Sequence, residues 1–346
     1  MTPSSCAPSP SARRFLGAAL VAALVVAGAC GDDSGGGDGP AASQQQSGVL
    51  PAAPTTLDEG PTPDGPYAVG RRDEVFVDPS RPTKANRQAP ALPSRTLPTI
   101  VLYPAAGAGA EEAVPGAAPL VDQGPYPLVV FAHGFTGNAQ IYVRSLRHWA
   151  AAGYVVAAPT FPLTSAGAAG GLNLSDYVEQ PADVRFVIDS VLHGRLSAVI
   201  DEEHVAVGGH SLGAITTVGL AFNDCCEDPR VDAVFPVSAA TWRFDGRADE
   251  RRDLPVLLIH GTDDDTLPFS GSVDLYRRVT APKFLVELVH GPHLAFFGGP
   301  WPRIIDDAVV GFLDRYLKER ARGLDAVRDA GSRDGLTTLR ADEGTG

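Results

Sequence analysis

Between about residues 70 and 325, short apolar runs alternate with stretches whose apolar positions recur at helical spacing. Tyr126–Ala132 (YPLVVFA) is a near-continuous apolar run, the pattern of a strand buried on both faces. Tyr154–Ala158, Val205–Val207, Ala233–Val237, Val256–Ile259 and Phe284–Val289 predict further strands. Gln140–Ala152 sets Ile141, Leu146 and Trp149 on one side of a helix, and Tyr177–Leu192 aligns Val184, Val187, Ile188 and Val191 on one stripe. Ala214–Phe222 and the amphipathic Ile304–Leu317 complete the predicted helices. Strands alternating with helices imply βαβ units and an α/β fold with a mostly parallel sheet. Glu74–Val77 and Thr99–Tyr103 have no helix between them and are expected to form an antiparallel edge.

The two ends of the chain have no such periodicity. Arg13 and Arg14 precede an apolar run, Phe15–Ala29, which is short of the ~20 residues a membrane-spanning helix needs. Its length and charged lead-in fit a secretory signal peptide. The run ends Ala27-Gly28-Ala29-Cys30 and is followed by Gly31-Asp32-Asp33, which resembles a bacterial lipobox with Cys30 as the lipid attachment. Residues 1–29 are therefore expected to be a lipoprotein-type signal peptide. Residues 30–66, rich in Gly, Ser, Gln, Pro and Asp, cannot bury enough surface to offset their ordering entropy and are expected to be a flexible linker. The folded domain is expected over residues 67–325, with 326–346 as a disordered tail. The expected location is exported and lipid-anchored to the outer face of a membrane, or secreted.

Composition narrows the function. The 346 residues carry 28 Lys and Arg against 41 Asp and Glu, a net charge of −13, with no basic run to neutralise phosphates. Nucleic-acid binding is therefore not expected. No Lys sits in a Gly-rich phosphate loop, which argues against a Walker-type nucleotide enzyme. Cys225 and Cys226 are adjacent, leaving two thiols or a vicinal bridge open, and no second Cys pair supplies metal ligands. Neither a metal nor an organic cofactor is implied.

The chemistry centres on Gly209-His210-Ser211-Leu212-Gly213. This G-x-S-x-G follows a β-run and opens an apolar helix, the strand–turn–helix setting of a nucleophile elbow. The sharp turn needs small residues at 209 and 213, and it lifts the Ser211 hydroxyl out at the carboxyl edge of the sheet. A serine hydroxyl is a poor nucleophile until a base removes its proton. The base is expected at His293, on the loop beyond the strand ending at Val289, with His290 its rival. The orienting carboxylate is expected in Gly261-Thr262-Asp263-Asp264-Asp265, where Asp263, Asp264 and Asp265 compete. His133-Gly134-Phe135-Thr136-Gly137 directly follows the strand ending at Ala132. Its turn, with the start of the helix after Ser211, is expected to supply two oxyanion donors, the backbone N–H groups of Phe135 and Leu212.

HGFTG, GHSLG, HGTDDDTLP and HGPHLAF, in this order, resemble the α/β-hydrolase superfamily. More narrowly, Arg95-Thr96-Leu97-Pro98, Val101-Leu102-Tyr103-Pro104 and Gln180-Pro181-Ala182-Asp183-Val184 resemble dienelactone-hydrolase-like esterases and the group around platelet-activating-factor acetylhydrolases, chlorophyllases and cutinase-like polyester hydrolases. The resemblance covers roughly residues 67–325. It implies an α/β-hydrolase fold, a mostly parallel sheet of about eight strands with helices on both faces. It implies Ser211, Asp264 and His293 as a triad, with Asp264 selected among the three Asp by family spacing. It also implies Phe135 as a ring at the acyl site and Trp242 as an aromatic wall for substrate. The elbow reads Ser-Leu-Gly-Ala and lacks the Ser-Met-Gly-Gly common in polyester hydrolases, and there is no C-terminal Cys pair. The implied reaction is hydrolysis of carboxylic esters, small molecules or a polymer surface, through an acyl-enzyme. A polyester hydrolase or lipase, a serine peptidase or acyltransferase, and a non-catalytic surface lipoprotein are the alternatives. No long apolar insertion lies between Val237 and Pro255, so a large lid is not expected.

Overall fold

The computed structural model describes residues 67–344 except positions 108, 110, 111, 250 and 251. The signal-peptide, Cys30 and linker assignments lie outside the described residues. The described chain runs β1 (Ala68–Asp78), β2 (Arg95–Ala105), β3 (Val114–Pro115), β4 (Tyr126–Ala132), α1 (Val143–Ala151), β5 (Val155–Pro159), α2 (Gln180–Leu192), β6 (Ile200–His210), α3 (Leu212–Phe222), β7 (Val231–Val237), β8 (Val256–Gly261), α4 (Ser270–Arg278), β9 (Lys283–Leu288), α5 (Trp301–Leu317), α6 (Gly323–Ala330) and β10 (Thr337–Asp342). The strands form one sheet in the order β10-β9-β8-β7-β6-β4-β5-β2-β1-β3.

From β5 through β4, β6, β7 and β8 to β9 the neighbours are parallel. All seven residues of β4 are buried, as its unbroken apolar run requires. One face of the sheet packs against α1, α5 and α6 through Leu146, Trp149, Ile305, Phe312 and Val327. The other packs against α2, α3 and α4 through Val184, Ile188, Ala214, Leu220 and Leu275. Every residue of α3 is buried, which accounts for a helix without a charged residue, its two threonine hydroxyls bonded to backbone carbonyls one turn back. The expected antiparallel pair is present, with β1 against β2 over residues 68–78 and 95–105.

The sheet is larger than the expected eight strands, having ten among the described residues. The short β3 pairs with β1. At the opposite edge β10 pairs antiparallel with β9, Thr337 against Leu288 through Asp342 against Lys283. The expected disordered tail from residue 326 is thus corrected: α6 and β10 belong to the fold. Leu324 and Val327 are buried in the core with α5, and a Cβ at Gly311 would stand 2.7 Å from the Gly323 carbonyl oxygen, so α6 lies hard against α5. Thr-Thr-Leu-Arg-Ala-Asp reads as polar tail because an edge strand with one face in solvent needs few apolar residues.

Candidate active site

Ser211 occupies the turn between β6 and α3 with φ 57° and ψ −118°, a conformation L-residues rarely adopt. Its backbone is pinned by its N–H donating to the Val237 carbonyl at 3.0 Å. The flanking glycines are required by contact. A Cβ at Gly209 would lie 2.3 Å from the Gly213 carbonyl oxygen, and one at Gly213 would lie 2.0 Å from that of Ala132. The elbow therefore closes directly onto the end of β4.

Three segments distant in sequence meet there. His293, in the loop beyond β9, has Nε2 at 2.9 Å from Ser211 Oγ and Nδ1 at 2.7 Å from Asp264 Oδ2. Asp264 follows β8, and its Oδ1 accepts the backbone N–H groups of Thr266 at 2.9 Å and Leu267 at 2.8 Å. Burial alone would push this carboxyl up. The hydrogen bonds from His260, His293 and the Leu267 N–H outweigh it and hold Asp264 well below the usual carboxylate range. The rival residues pair with each other instead, His290 Nδ1 at 3.1 Å from Asp263 Oδ2, and the His290 side chain is 80 % exposed. Asp265 is also exposed and takes the Thr266 hydroxyl at 3.2 Å.

His133–Gly137 turns immediately beyond β4, closed by the Gly137 N–H on the Gly134 carbonyl at 2.9 Å. It lies against the elbow, since a Cβ at Gly134 would stand 3.2 Å from Ser211 Cβ. The Thr136 N–H donates to Thr164 at 2.9 Å, while the Phe135 N–H is left without a partner among the described residues. Leu212 is the first residue of α3, so its N–H has no intrahelical acceptor. Neither N–H is thus committed to a backbone acceptor among the described residues. Phe135 is half-buried beside them.

Two further histidines brace this geometry. Nδ1 of His133 donates to the Gly134 carbonyl at 2.8 Å, and Nε2 accepts the Phe161 N–H at 3.0 Å. Burial pushes its pKa down to about 4. His210 Nε2 donates to the His293 carbonyl at 2.9 Å and its Nδ1 faces the Tyr142 hydroxyl at 2.8 Å. Burial, then the neighbouring His293, push its pKa down to about 3. His260, at the end of β8, is a contact the sequence reasoning missed: its Nε2 lies 3.0 Å from Asp264 Oδ2. The signal was present in His260-Gly261, four residues before the acid.

Trp242 stands edge-on to Tyr177, with ring centroids 5.1 Å apart, and Tyr177 also meets Phe244 at 5.3 Å. Gly219 of α3 makes room for Phe244, because a Cβ there would fall 2.5 Å from that ring. Trp242 therefore belongs to an aromatic cluster held against α3. Tyr177 precedes α2, and this region is anchored by fully buried Arg95, which grips Asp183 at 2.6 Å and Asp176 at 2.9 Å. The RTLP and QPADV segments are thus joined by a buried ion cluster. Gln180 continues it, donating to Thr164 at 2.8 Å and accepting from Thr216 of α3 at 2.5 Å. Cys225 and Cys226, left open by the sequence, form a vicinal disulfide just beyond α3. No group of His, Cys, Asp and Glu among the described residues is arranged to hold a metal ion.

Residues 113–260 match the sequence model of the chlorophyllase family. The esterase YjfP of Escherichia coli K12 is 26 % identical over 189 residues, covering 45 % of this chain and 76 % of that protein. The uncharacterized protein YfhR of Salmonella typhi is 31 % identical over 67 residues, 19 % of this chain, and the match spans only 23 % of YfhR. A ferulic acid esterase of Streptomyces cinnamoneus shares the fold at a TM-score of 0.60 and 22 % identity, covering 78 % of this chain and 93 % of the esterase. The chain is thus similar in sequence to the chlorophyllase family and to an esterase, and it has the α/β-hydrolase fold.

Proposed function

We propose that this protein is a serine carboxylic ester hydrolase that works through an acyl-enzyme. The observation that carries the reading is the unbroken hydrogen-bond chain from Ser211 Oγ through the His293 imidazole to Asp264 Oδ2. Ser211 attacks the ester carbonyl while His293 Nε2 takes its proton, and Asp264 holds the imidazole tautomer and offsets the charge that develops on it. The N–H groups of Phe135 and Leu212 receive the tetrahedral oxyanion, each worth about 3 kcal/mol of barrier. The alcohol leaves with the proton from His293. Water, deprotonated by the same imidazole, then releases the acid and restores Ser211.

Ser211 is half-buried, and Leu294 and Phe297, in the segment after His293, are exposed. An uncovered site of this kind favours short and medium acyl esters, with Phe135 and Trp242 offering ring surface to the substrate. Export follows from the charged and apolar lead at Arg13–Ala29, and anchoring to the membrane from lipid on Cys30.

A p-nitrophenyl ester series from acetate to palmitate tests the reaction, with Ser211→Ala beside the wild type. The expected result is rapid cleavage of the short and medium esters, abolished in Ser211→Ala. A fluorophosphonate probe that fails to label folded wild type would favour a non-catalytic surface protein. Radiolabelled palmitate incorporated in cells and lost in Cys30→Ala tests the anchor.

A further inference from the structure

Asp264 Oδ2 accepts two imidazoles, and only one of them reaches the serine. Nδ1 of His293 lies 2.7 Å from this oxygen and Nε2 of His260 lies 3.0 Å from it. His260 Nε2 is also 3.0 Å from the Leu267 carbonyl oxygen. Both neighbours of that nitrogen are acceptors, so it carries a hydrogen. On the other side of the ring, Nδ1 meets the Ser272 hydroxyl of α4 at 2.7 Å. His260 and Ser272 are both fully buried, and the Phe269 ring stands edge-on to the imidazole at 5.7 Å. The ring has no freedom to turn away.

We propose that His260 is a positioning residue that fixes the Asp264 carboxylate and sets how strongly it draws on the His293 imidazole. The inference rests on the hydrolytic reading given above. A hydrogen bond to a carboxylate oxygen withdraws part of its charge, and that charge is then unavailable to a second donor on the same oxygen. With Oδ1 held by two backbone N–H groups and Oδ2 by His260, the carboxylate keeps its plane when His293 changes charge. The cost is that Asp264 stabilises the His293 imidazolium less than an undivided carboxylate would.

The other titratable groups around the pair are few. His210 from β6 faces the His293 ring at 5.0 Å between centroids, and Ser211 lies at its far nitrogen. Asp263 and His290 pair on the outer side of the same two loops. None of these shares the accepting oxygen with His293, as His260 does.

The test compares His260→Leu, His260→Gln and Ser272→Ala with wild type, reading kcat and KM for p-nitrophenyl butyrate across pH. In His260→Leu the undivided carboxylate favours the imidazolium at position 293. The acidic limb of kcat/KM is expected to move up by about half to one pH unit, with kcat falling ~10-fold and KM little changed. Gln can place an amide N–H where Nε2 stood, and His260→Gln is expected to restore the limb and most of kcat. Ser272→Ala frees the imidazole to rotate and should give a smaller displacement in the same direction, keeping the test open should the Leu variant fold poorly. A limb that stays in place in both His260→Leu and Ser272→Ala, with activity falling only as the folded fraction falls, would overturn the proposal. Hydrolysis that survives Ser211→Ala overturns the underlying reading itself, whereas an inactive Ser211→Ala with unmoved limbs removes the role of His260 alone.

Discussion

The hydroxyl of Tyr142 bridges two segments of the candidate site, standing 2.8 Å from His210 Nδ1 and accepting the Gly134 N–H at 3.2 Å. His210 in turn donates to the His293 carbonyl at 2.9 Å. One relay of hydrogen bonds therefore ties the turn beyond β4 to the backbone that carries His293. Tyr142→Phe leaves the Gly134 N–H and His210 Nδ1 buried without partners, at a cost of about 1–3 kcal/mol. Urea denaturation should show that loss, and kcat should fall roughly tenfold as the turn loosens. Unchanged stability would mean that water replaces the hydroxyl.

Asp263 and Asp264 are neighbours in sequence and do different things. Asp264 holds His293 in the interior, whereas Asp263 holds His290 at the surface. Asp264→Asn should therefore lower kcat by about 10⁴ by stabilising the wrong imidazole tautomer. Asp263→Asn and His290→Gln should stay within about twofold, as breaking an exposed pair contributes little. A large loss of kcat in Asp263→Asn would reassign the acid.

Gly213 is the tightest point of the elbow. The methyl of Gly213→Ala would have to fit 2.0 Å from the Ala132 oxygen and 2.9 Å from that of His133. Both obstacles are backbone at the end of the central strand, so neither can swing aside. The substitution should cost at least about 1–3 kcal/mol and separate the Leu212 N–H from the turn at Phe135. Thermal melting and ester turnover should fall together; a fully active, undiminished Gly213→Ala would show that the elbow is looser than its contacts.

Why the sequence announced some of this and hid the rest can be traced to individual residues. The central strands and the elbow were legible because both demand a narrow choice: β4 is buried on two faces and must be apolar throughout, and Gly209 and Gly213 leave no room for a Cβ. The choice between Asp263 and Asp264 was not legible from the residues alone. Both follow the same strand, and only the loop path decides which one points inward. His260 was overlooked because a histidine inside an apolar strand reads as filler until its ring is seen against Asp264. The edge strand β10 was hidden for the opposite reason, since Leu339 and Thr337 are its only inward contributions of note and its exposed positions are those of any polar tail. Deleting residues 331–346 should therefore uncover β9 and lower the melting temperature, where loss of a frayed tail would change nothing.

Two buried imidazoles make stability depend on pH in a defined direction. Burial lowers His133 to about 4 and His210 to about 3, against about 6.5 in the unfolded chain. Below pH ~6.5 the unfolded chain takes up a proton at each position that the folded protein refuses, so stability falls as pH falls. The slope approaches about 1.4 kcal/mol per pH unit for each histidine, until the pH reaches the folded value. Asp264 adds to this only at lower pH. Its folded carboxyl lies below its unfolded value, so its contribution is complete above pH ~4 and is lost under more acid conditions. Urea denaturation from pH 7.5 to 4.5 should therefore show stability declining steeply below pH ~6, before most carboxylates titrate. His133→Gln retains an acceptor for the Phe161 N–H and cannot titrate, so its decline should be shallower by about 1.4 kcal/mol per unit near pH 5. The same slope in wild type and His133→Gln would mean that the folded protein admits the proton at His133, and the turn holding Phe135 would then open under mildly acid conditions.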